Sequence, residues 1–150
     1  MTLPIFESDM TLKVKRVFRA PRERVFRAWT EPDLLKQWLG GAHIPDPIAE
    51  VDLRVGGQYR LQLRAEGSPI FWVTGTYQEI TPPERLAFTW QFEGTEMDTG
   101  ETLVTVEFHD RGDETEVVML HERFPNNDIR DRHGEGWTIS FNQLAEFLEA

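Results

Sequence analysis

The amino-acid sequence predicts an α+β fold, in which a curved antiparallel sheet of about seven strands wraps around a long C-terminal helix. Three features of the 150-residue chain predict it. A series of segments alternates apolar and polar residues, which is typical of strands with one buried face. Two short helical segments follow the first strand, and the final segment carries a continuous apolar stripe at helical spacing. We expect residues 1–150 to form one domain, with residues 1–10 as a loose N-terminal segment.

The N-terminal part of the chain predicts one strand and two short helices. Thr11–Phe18 alternates apolar and charged residues and is predicted to be a strand. Pro21 ends this pattern and suits the first turn of a helix, which we expect over Glu23–Thr30. After Pro32, Asp33–Leu39 places its apolar residues on one side of a second short helix. Both helices therefore come before the rest of the sheet.

The middle of the chain predicts a meander of further strands. Turn-forming pairs such as Gly56-Gly57 and Pro82-Pro83 separate runs of strand-like alternation. The connections are short, and short connections favour antiparallel pairing of consecutive strands. The predicted strands are Ile48–Leu53, Gln58–Ala65, Ile70–Ile80, Arg85–Phe92, Glu101–Phe108 and Thr115–Arg123.

The C-terminal segment predicts the long helix, over Asp128–Glu149. Asparagine and aspartate at positions 126–128 can cap the free backbone N–H groups at its start. Gly134 and Gly136 each cost about 1 kcal/mol relative to alanine inside a helix. Either the helix begins later, near Gly136, or the missing side chains allow a bend or a close approach to the sheet. The apolar stripe consists of Trp137, Phe141, Leu144 and Leu148.

The charge of the chain argues against two classes of partner. Lys and Arg number 16 against 26 Asp and Glu, which gives a net charge of −10. Such a surface repels nucleic acid and anionic membranes, because both bind clustered positive charge. No apolar run approaches the roughly 20 residues of a membrane helix, and no secretory signal is evident, so we expect a cytoplasmic protein. The chain has no cysteine, which excludes disulfides and thiolate metal ligands.

Aromatic residues are the strongest functional signal. If the strand phases are right, most of them face the space between the sheet and the C-terminal helix. They either line a small apolar pocket, in which a few polar groups orient a ligand, or they fill the core. Gly40-Gly41 would form a mobile rim. The candidate ligand-binding residues are Trp38, Tyr59, Leu61, Phe71, Tyr77, Phe88, Trp90, Val106, Met119, His121, Arg123, Trp137 and Phe141.

Two of these candidates, His121 and Arg123, could supply polar chemistry. Both follow Met119 in phase on the last strand and are expected to point inward. His121 could act as an acid, a base or a hydrogen-bonding group, or it could be a structural histidine at the edge of the core. Arg123 could bind a carboxylate at the cavity mouth, or it could pair with Glu50 or Asp52.

The sequence predicts no catalytic residue, metal site or cofactor. His43, His109 and His133 lie in separate segments without the spacing of a metal motif, although His133 with Asp131 could form a weak site. Neither a GxSxG nucleophile motif nor a phosphate-binding glycine loop is present. These absences favour a binding protein over a conventional enzyme.

Several short motifs follow one another along the chain. They are Arg16-x-Phe18-x-Ala20-Pro21, Val25-Phe26-x-Ala28-Trp29-Thr30-x-Pro32, Leu35-x-x-Trp38, Asp52-x-Arg54-x-Gly56-Gly57, Gly75-x-Tyr77-x-Glu79, Pro82-Pro83-Glu84-Arg85-Leu86 and Gly136-Trp137.

These motifs resemble, in the same order, the C-terminal domain of activators of the ninety-kilodalton heat-shock-protein ATPase. The resemblance covers about residues 11–149 and implies the helix-grip fold of START-type and birch-pollen-allergen-type proteins (the SRPBCC superfamily), usually with a cavity between sheet and helix. The segment Trp38-Leu39-Gly40-Gly41 departs from the double tryptophan and Gly-Pro of many relatives, so the rim there is expected to differ.

Three functions are compatible with these observations. The first is binding of a small apolar or aromatic molecule, with an acidic or hydroxyl handle near His121 and Arg123. The second, implied by the resemblance, is a stress-related co-chaperone or protein-interaction role. The third is an enzyme of the cyclase or hydrolase type found among similar folds, which requires His121 to face an open pocket as general base. The exposed sheet edges are compatible with a monomer or a homodimer.

Overall fold

The described part of the chain folds as one antiparallel sheet packed against three helices. The structure, a computed structural model, describes residues 4–8, 10–93 and 100–149. The strands are β1 (Pro4–Ser8), β2 (Thr11–Phe18), β3 (Ala49–Val51), β4 (Gln58–Leu63), β5 (Phe71–Thr81), β6 (Arg85–Glu93), β7 (Thr102–Arg111) and β8 (Glu114–Glu122). The helices are α1 (Arg22–Thr30), α2 (Pro32–Trp38) and α3 (Asn127–Glu149).

The order of the strands confirms the predicted meander. Within the described residues the sheet runs β1-β2-β8-β7-β6-β5-β4-β3, with every neighbouring pair antiparallel. The chain therefore builds β3 to β8 consecutively, and the two short helices lead from β2 at one side of the sheet to β3 at the far edge. The predicted architecture, a curved antiparallel sheet around a long C-terminal helix, is confirmed.

One strand was not predicted. Pro4–Ser8 was expected to belong to a loose segment, but it forms β1 at the edge of the sheet, with Pro4 opposite Val14. Over the described residues the sheet therefore has eight strands, where about seven were expected. A five-residue strand that is interrupted by a register shift is too short to show a clear alternation in the sequence.

Three predicted strands end earlier than expected, two beside loops with their own hydrogen bonds and one at a change of backbone conformation. β3 stops at Val51, since Asp52–Gly57 folds into a compact loop in which the Gly57 N–H donates to the Arg54 carbonyl at 2.8 Å. β4 stops at Leu63, and the Arg64 carbonyl accepts bonds from the loop at residues 41–42. β8 stops at Glu122, because the backbone then turns into a left-handed conformation.

Helix α3 is continuous through both of its glycines. Asn126 caps its start, where the side-chain Oδ1 accepts a bond from the Ile129 N–H at 2.9 Å. The expectation that the helix begins near Gly136 is wrong, and so is the alternative of close approach at that residue. A Cβ added to Gly136 would meet nothing within 4 Å. The missing side chain therefore leaves open space beside the helix.

The core lies between the inner face of the sheet, α1 and α3. Phe141 of α3 packs against Phe18 of β2 and Trp29 of α1, with ring centroids 5.8 and 5.9 Å apart. Val106 and Met119, on the central strands, are completely buried beneath them. This packing fixes α3 across the sheet and determines where space is left over.

Candidate functional site

A chain of hydrogen bonds joins His121 to three elements. The Trp137 Nε1–H of α3 donates to His121 Nδ1 at 3.0 Å. His121 Nε2 lies 2.7 Å from the Thr102 hydroxyl of β7, and that hydroxyl also lies 2.8 Å from the Trp90 carbonyl of β6. The indole can only donate and the carbonyl can only accept, so the hydroxyl donates to Trp90 and accepts from His121. His121 is therefore the neutral tautomer with its proton on Nε2.

The environment of His121 rules out the open pocket that a general base requires. The side chain is completely buried, and both ring nitrogens are already bonded within the core. Burial, together with the nearby His133, holds the pKa of His121 well below its usual value. A proton on Nδ1 would also face the Trp137 N–H donor directly. His121 is thus a structural residue beneath the surface of the site.

Arg123 does not lie where the alternation of β8 predicted. Its backbone φ of +72° ends the strand, so that Arg123 is exposed and the next residue, Phe124, is buried. The Phe124 ring lies 4.3 Å from the His121 ring, in the position expected for Arg123. Of its two suggested partners, Glu50 and Asp52, Asp52 pairs with Arg54 at 2.8 Å. Arg123 is therefore not part of an internal site.

The space predicted between sheet and helix is almost filled by side chains. A void of about 20 Å³ remains, which is room for about one water molecule. Val106, Met119 and Phe141 do not border it and belong to the packed core. Trp38 is also buried, with its Nε1–H donating to the Ala28 carbonyl at 2.8 Å. The void is lined by Trp29, Leu35, Leu39, Tyr59, Leu61, Tyr77, Phe88, Trp90 and Trp137.

One of several open clefts of the described residues lies next to this void, between the first half of α3 and the β4–β5 connection. It is a cleft of about 560 Å³, and most of its exposed lining is apolar. Three of the predicted residues, Phe71, Trp90 and Trp137, border it. Trp90 and Trp137, whose ring centroids are 4.9 Å apart, border the void as well, so the two spaces are neighbours that share these side chains. The cleft replaces the predicted internal cavity as the candidate ligand site.

Two features of α3 shape the cleft. Gly136 lies on its wall, and the open space around this residue contributes to the volume. His133, one turn earlier, also borders it and stacks on Phe92 of β6, with an interplanar angle of 15°. The His133 Nδ1–H donates to the Ile129 carbonyl at 2.9 Å, which leaves Nε2 as an unprotonated acceptor. Burial lowers the pKa of His133 to about 4, so the ring is neutral at pH 7.

The rim carries a small number of polar groups. Ser140 Oγ accepts a bond from the Gly40 N–H at 3.1 Å, which ties the predicted Gly40-Gly41 rim to α3. Arg64 also borders the cleft, and its Nε is buried without a hydrogen-bond partner. The indole Nε1 of Trp90 is likewise buried and unpartnered. An apolar cleft with a few unsatisfied donors is the usual composition of a small-molecule site.

Several residues of the cleft were not predicted as site residues. Phe92 and Arg64 were placed only within predicted strands, and His133 was considered only as part of a weak metal site. Their positions depend on how residues 64–70 fold back towards α3, which no local pattern indicates. Among the described residues there is no cluster of three or more side chains suited to holding a metal ion. None of the helices in those residues is long and apolar enough to cross a membrane.

The geometry defines a helix-grip, START-like protein with an apolar cleft beside its C-terminal helix. The chain belongs to the family described as Activator of Hsp90 ATPase homolog 1-like protein, whose model matches residues 19–149. The predicted family is therefore confirmed. No curated protein matches the chain significantly.

Solved structures agree with this assignment. A protein from Rhodobacter sphaeroides matches with a TM-score of 0.83 and 24% identity, over 99% of this chain and 97% of that chain. A protein from Chromobacterium violaceum has a TM-score of 0.79 and 28% identity, over 93% and 97%. An HSP90 activator from Plasmodium falciparum has a TM-score of 0.72 and 25% identity, over 93% and 96%. Family and fold together support a ligand-binding or co-chaperone-like domain.

Proposed function

We propose that the protein binds a small apolar or aromatic molecule in the cleft beside α3. The observation that carries the proposal is an open volume of about 560 Å³ bordered by Phe71, Trp90, Phe92 and Trp137. This volume lies within the range of small-molecule sites, and aromatic walls supply most of the binding energy of such sites. The void of about 20 Å³ behind the tryptophans is too small for any organic ligand.

Exposed apolar side chains at the mouth of the cleft support the proposal. Ile70 and Ile139 both border the cleft and are 45% and 44% exposed. They stand on the β4–β5 connection and on α3, at opposite sides of the opening. A ligand seated between them would remove their apolar surface from water, which is favourable by about 25 cal/mol per Å².

Gly136 offers a direct test, because it borders the cleft and a Cβ added there would meet nothing within 4 Å. The probe is N-phenyl-1-naphthylamine, a neutral aromatic molecule whose fluorescence rises in apolar sites. We expect it to bind the wild-type protein, and we expect Gly136→Leu to weaken binding by at least about tenfold. The same change should raise the free energy of unfolding by about 0.5–1 kcal/mol, since leucine is a better helix former than glycine.

Gly136→Ala is the matched control. It gives a similar gain in helix propensity but adds only one methyl group, so it should bind the probe almost as well as wild type. If Gly136→Leu loses probe binding while Gly136→Ala keeps it, the probe binds in the cleft. Equal binding by wild type, Gly136→Ala and Gly136→Leu, or no binding by wild type, would contradict the proposal.

A second function, stimulation of an Hsp90-type ATPase, is favoured by the family and by the relative named as an HSP90 activator from Plasmodium falciparum. The test is the steady-state ATPase rate of a purified ninety-kilodalton heat-shock protein, measured with increasing amounts of this protein. We expect a saturable rise in rate if the co-chaperone role applies. An unchanged rate at excess protein, together with probe binding in the cleft, would leave ligand binding as the function.

A further inference from the structure

We propose that the ligand of the cleft carries one anionic group, of the carboxylate type, and that Arg64 holds this group while the aromatic wall holds the apolar part. This inference rests on the proposed function and names the chemical class of ligand for the same site. The sequence predicted that His121 and Arg123 would bind the polar group of the ligand. The structure favours Arg64 instead, at the rim directly after β4.

Arg64 is placed to receive a ligand because nothing in the described residues already uses its side chain. Its Nε is buried without a hydrogen-bond partner, and no ion pair involves its guanidinium. A buried donor without a partner is unfavourable, so a ligand acceptor would be bound with little competition. The backbone of Arg64 is fixed, since its carbonyl accepts bonds from the N–H groups of Gly41 and Ala42 at 3.2 and 2.8 Å.

The other charged and titratable groups at the cleft do not offer the same opportunity. Arg132 is occupied, because its Nε lies 3.2 Å from Asp128 Oδ2. His133 donates its Nδ1–H to the helix backbone, so Nε2 can accept a proton but cannot donate one to an anion. Glu66 and Glu135 are exposed carboxylates at the rim, which would oppose an anion only weakly through water.

The geometry of arginine favours a carboxylate in particular. The guanidinium presents parallel N–H groups that match the two oxygens of a carboxylate, and such charge-assisted bonds are about twice as strong as neutral ones. The charge of the rest of the protein disfavours binding of an anion. With a net charge of −10, the surface repels organic anions, so tight binding of an anion requires a local unpaired cation.

The experiment compares two fluorescent probes that differ by one charged group. They are 1-anilinonaphthalene-8-sulfonate, whose sulfonate stands in for the ligand's anionic group, and N-phenyl-1-naphthylamine, which lacks the sulfonate. The quantity measured is the ratio of their dissociation constants on the full chain. We expect Arg64→Gln to shift this ratio against the anionic probe by about tenfold or more. Arg64→Lys, which keeps the charge but not the planar fork, should shift it less.

Arg132→Gln is the matched control, because it removes the same charge from the same rim but from an arginine that is already paired. It should leave the ratio within about twofold of wild type. Circular dichroism of each variant checks that the fold is retained. An equal shift in the Arg64→Gln and Arg132→Gln proteins would show general charge attraction and overturn the role of Arg64.

The outcomes separate this inference from the proposed function. Gly136→Leu could weaken binding of the neutral probe while Arg64→Gln leaves the ratio of the two dissociation constants unchanged. In that case the cleft binds ligands, but the proposal that the ligand is an anion is wrong. If neither probe binds wild type, the proposed function fails and the anionic ligand fails with it. A ratio that shifts only in the Arg64 variants supports both.

Discussion

At the residue scale, His121 shows how a polar side chain can be more important for packing than for chemistry. Its two ring nitrogens connect Trp137 of α3 to Thr102 of β7, and through the hydroxyl to the carbonyl of Trp90. The same two tryptophans border both the small void and the cleft. The hydrogen-bonded chain therefore fixes the wall of the proposed ligand site without touching its open space.

We predict that His121→Phe destabilises the protein by about 2 kcal/mol, because the buried Trp137 N–H loses its acceptor while the ring volume is nearly kept. The measurement is the free energy of unfolding from urea titration followed by circular dichroism. Thr102→Val removes the hydroxyl at the other end of the hydrogen-bonded chain and should also be destabilising. The double variant should cost clearly less than the sum of the two, since both changes break one connected network.

Two results would contradict this interpretation. Strictly additive effects would mean that the two side chains are independent, and a stable His121→Phe protein would mean that the Trp137 bond is unimportant. An NMR spectrum of the histidine nitrogens offers a separate check at pH 7. It should show His121 as the neutral tautomer protonated on Nε2, as the hydrogen-bond directions require.

At the element scale, the sequence predicted nearly every helix and strand but fewer of the residues that form the cleft. Periodicity located β2 and β4–β8 well, because each has one buried face. The predicted β8 nevertheless included Arg123, since alternation cannot foresee a backbone with φ of +72°. From the sequence, Gly136 is expected to weaken the helix. In the structure α3 continues through it, and the missing side chain leaves open space. Arg64 and His133 border the same cleft only because a loop packs near a helix, so no spacing in the chain reveals them.

At the scale of the whole molecule, the seam between β8 and α3 encloses two histidines. The rings of His121 and His133 lie 5.1 Å apart, and Phe124 packs against both. His133 also stacks on Phe92, so the seam reaches the cleft. Burial of both rings favours their neutral forms, so protonation here destabilises the packing of helix on sheet and couples the stability of the fold to pH.

We predict that the protein loses stability as the pH falls below about 6.5, the usual histidine pKa in an unfolded chain. In the folded state, burial lowers the pKa of His133 to about 4 and that of His121 well below its usual value. The unfolded chain therefore binds more protons than the folded one below this pH. Each histidine then reduces the free energy of unfolding by up to about 1.4 kcal/mol per pH unit, and His133 alone by about 3 kcal/mol at pH 4.

Urea titrations between about pH 7 and pH 5, above the range in which most carboxylates titrate, measure this slope. His133→Phe can keep the aromatic contact with Phe92 while removing one titrating group, so its slope should be about half that of wild type at the acidic end. His43→Gln changes an exposed histidine and serves as the control, with an expected slope equal to wild type. If His133→Phe and His43→Gln gave the same slope, protonation of the seam would not be what destabilises the fold, and the acidic surface would have to account for the pH dependence.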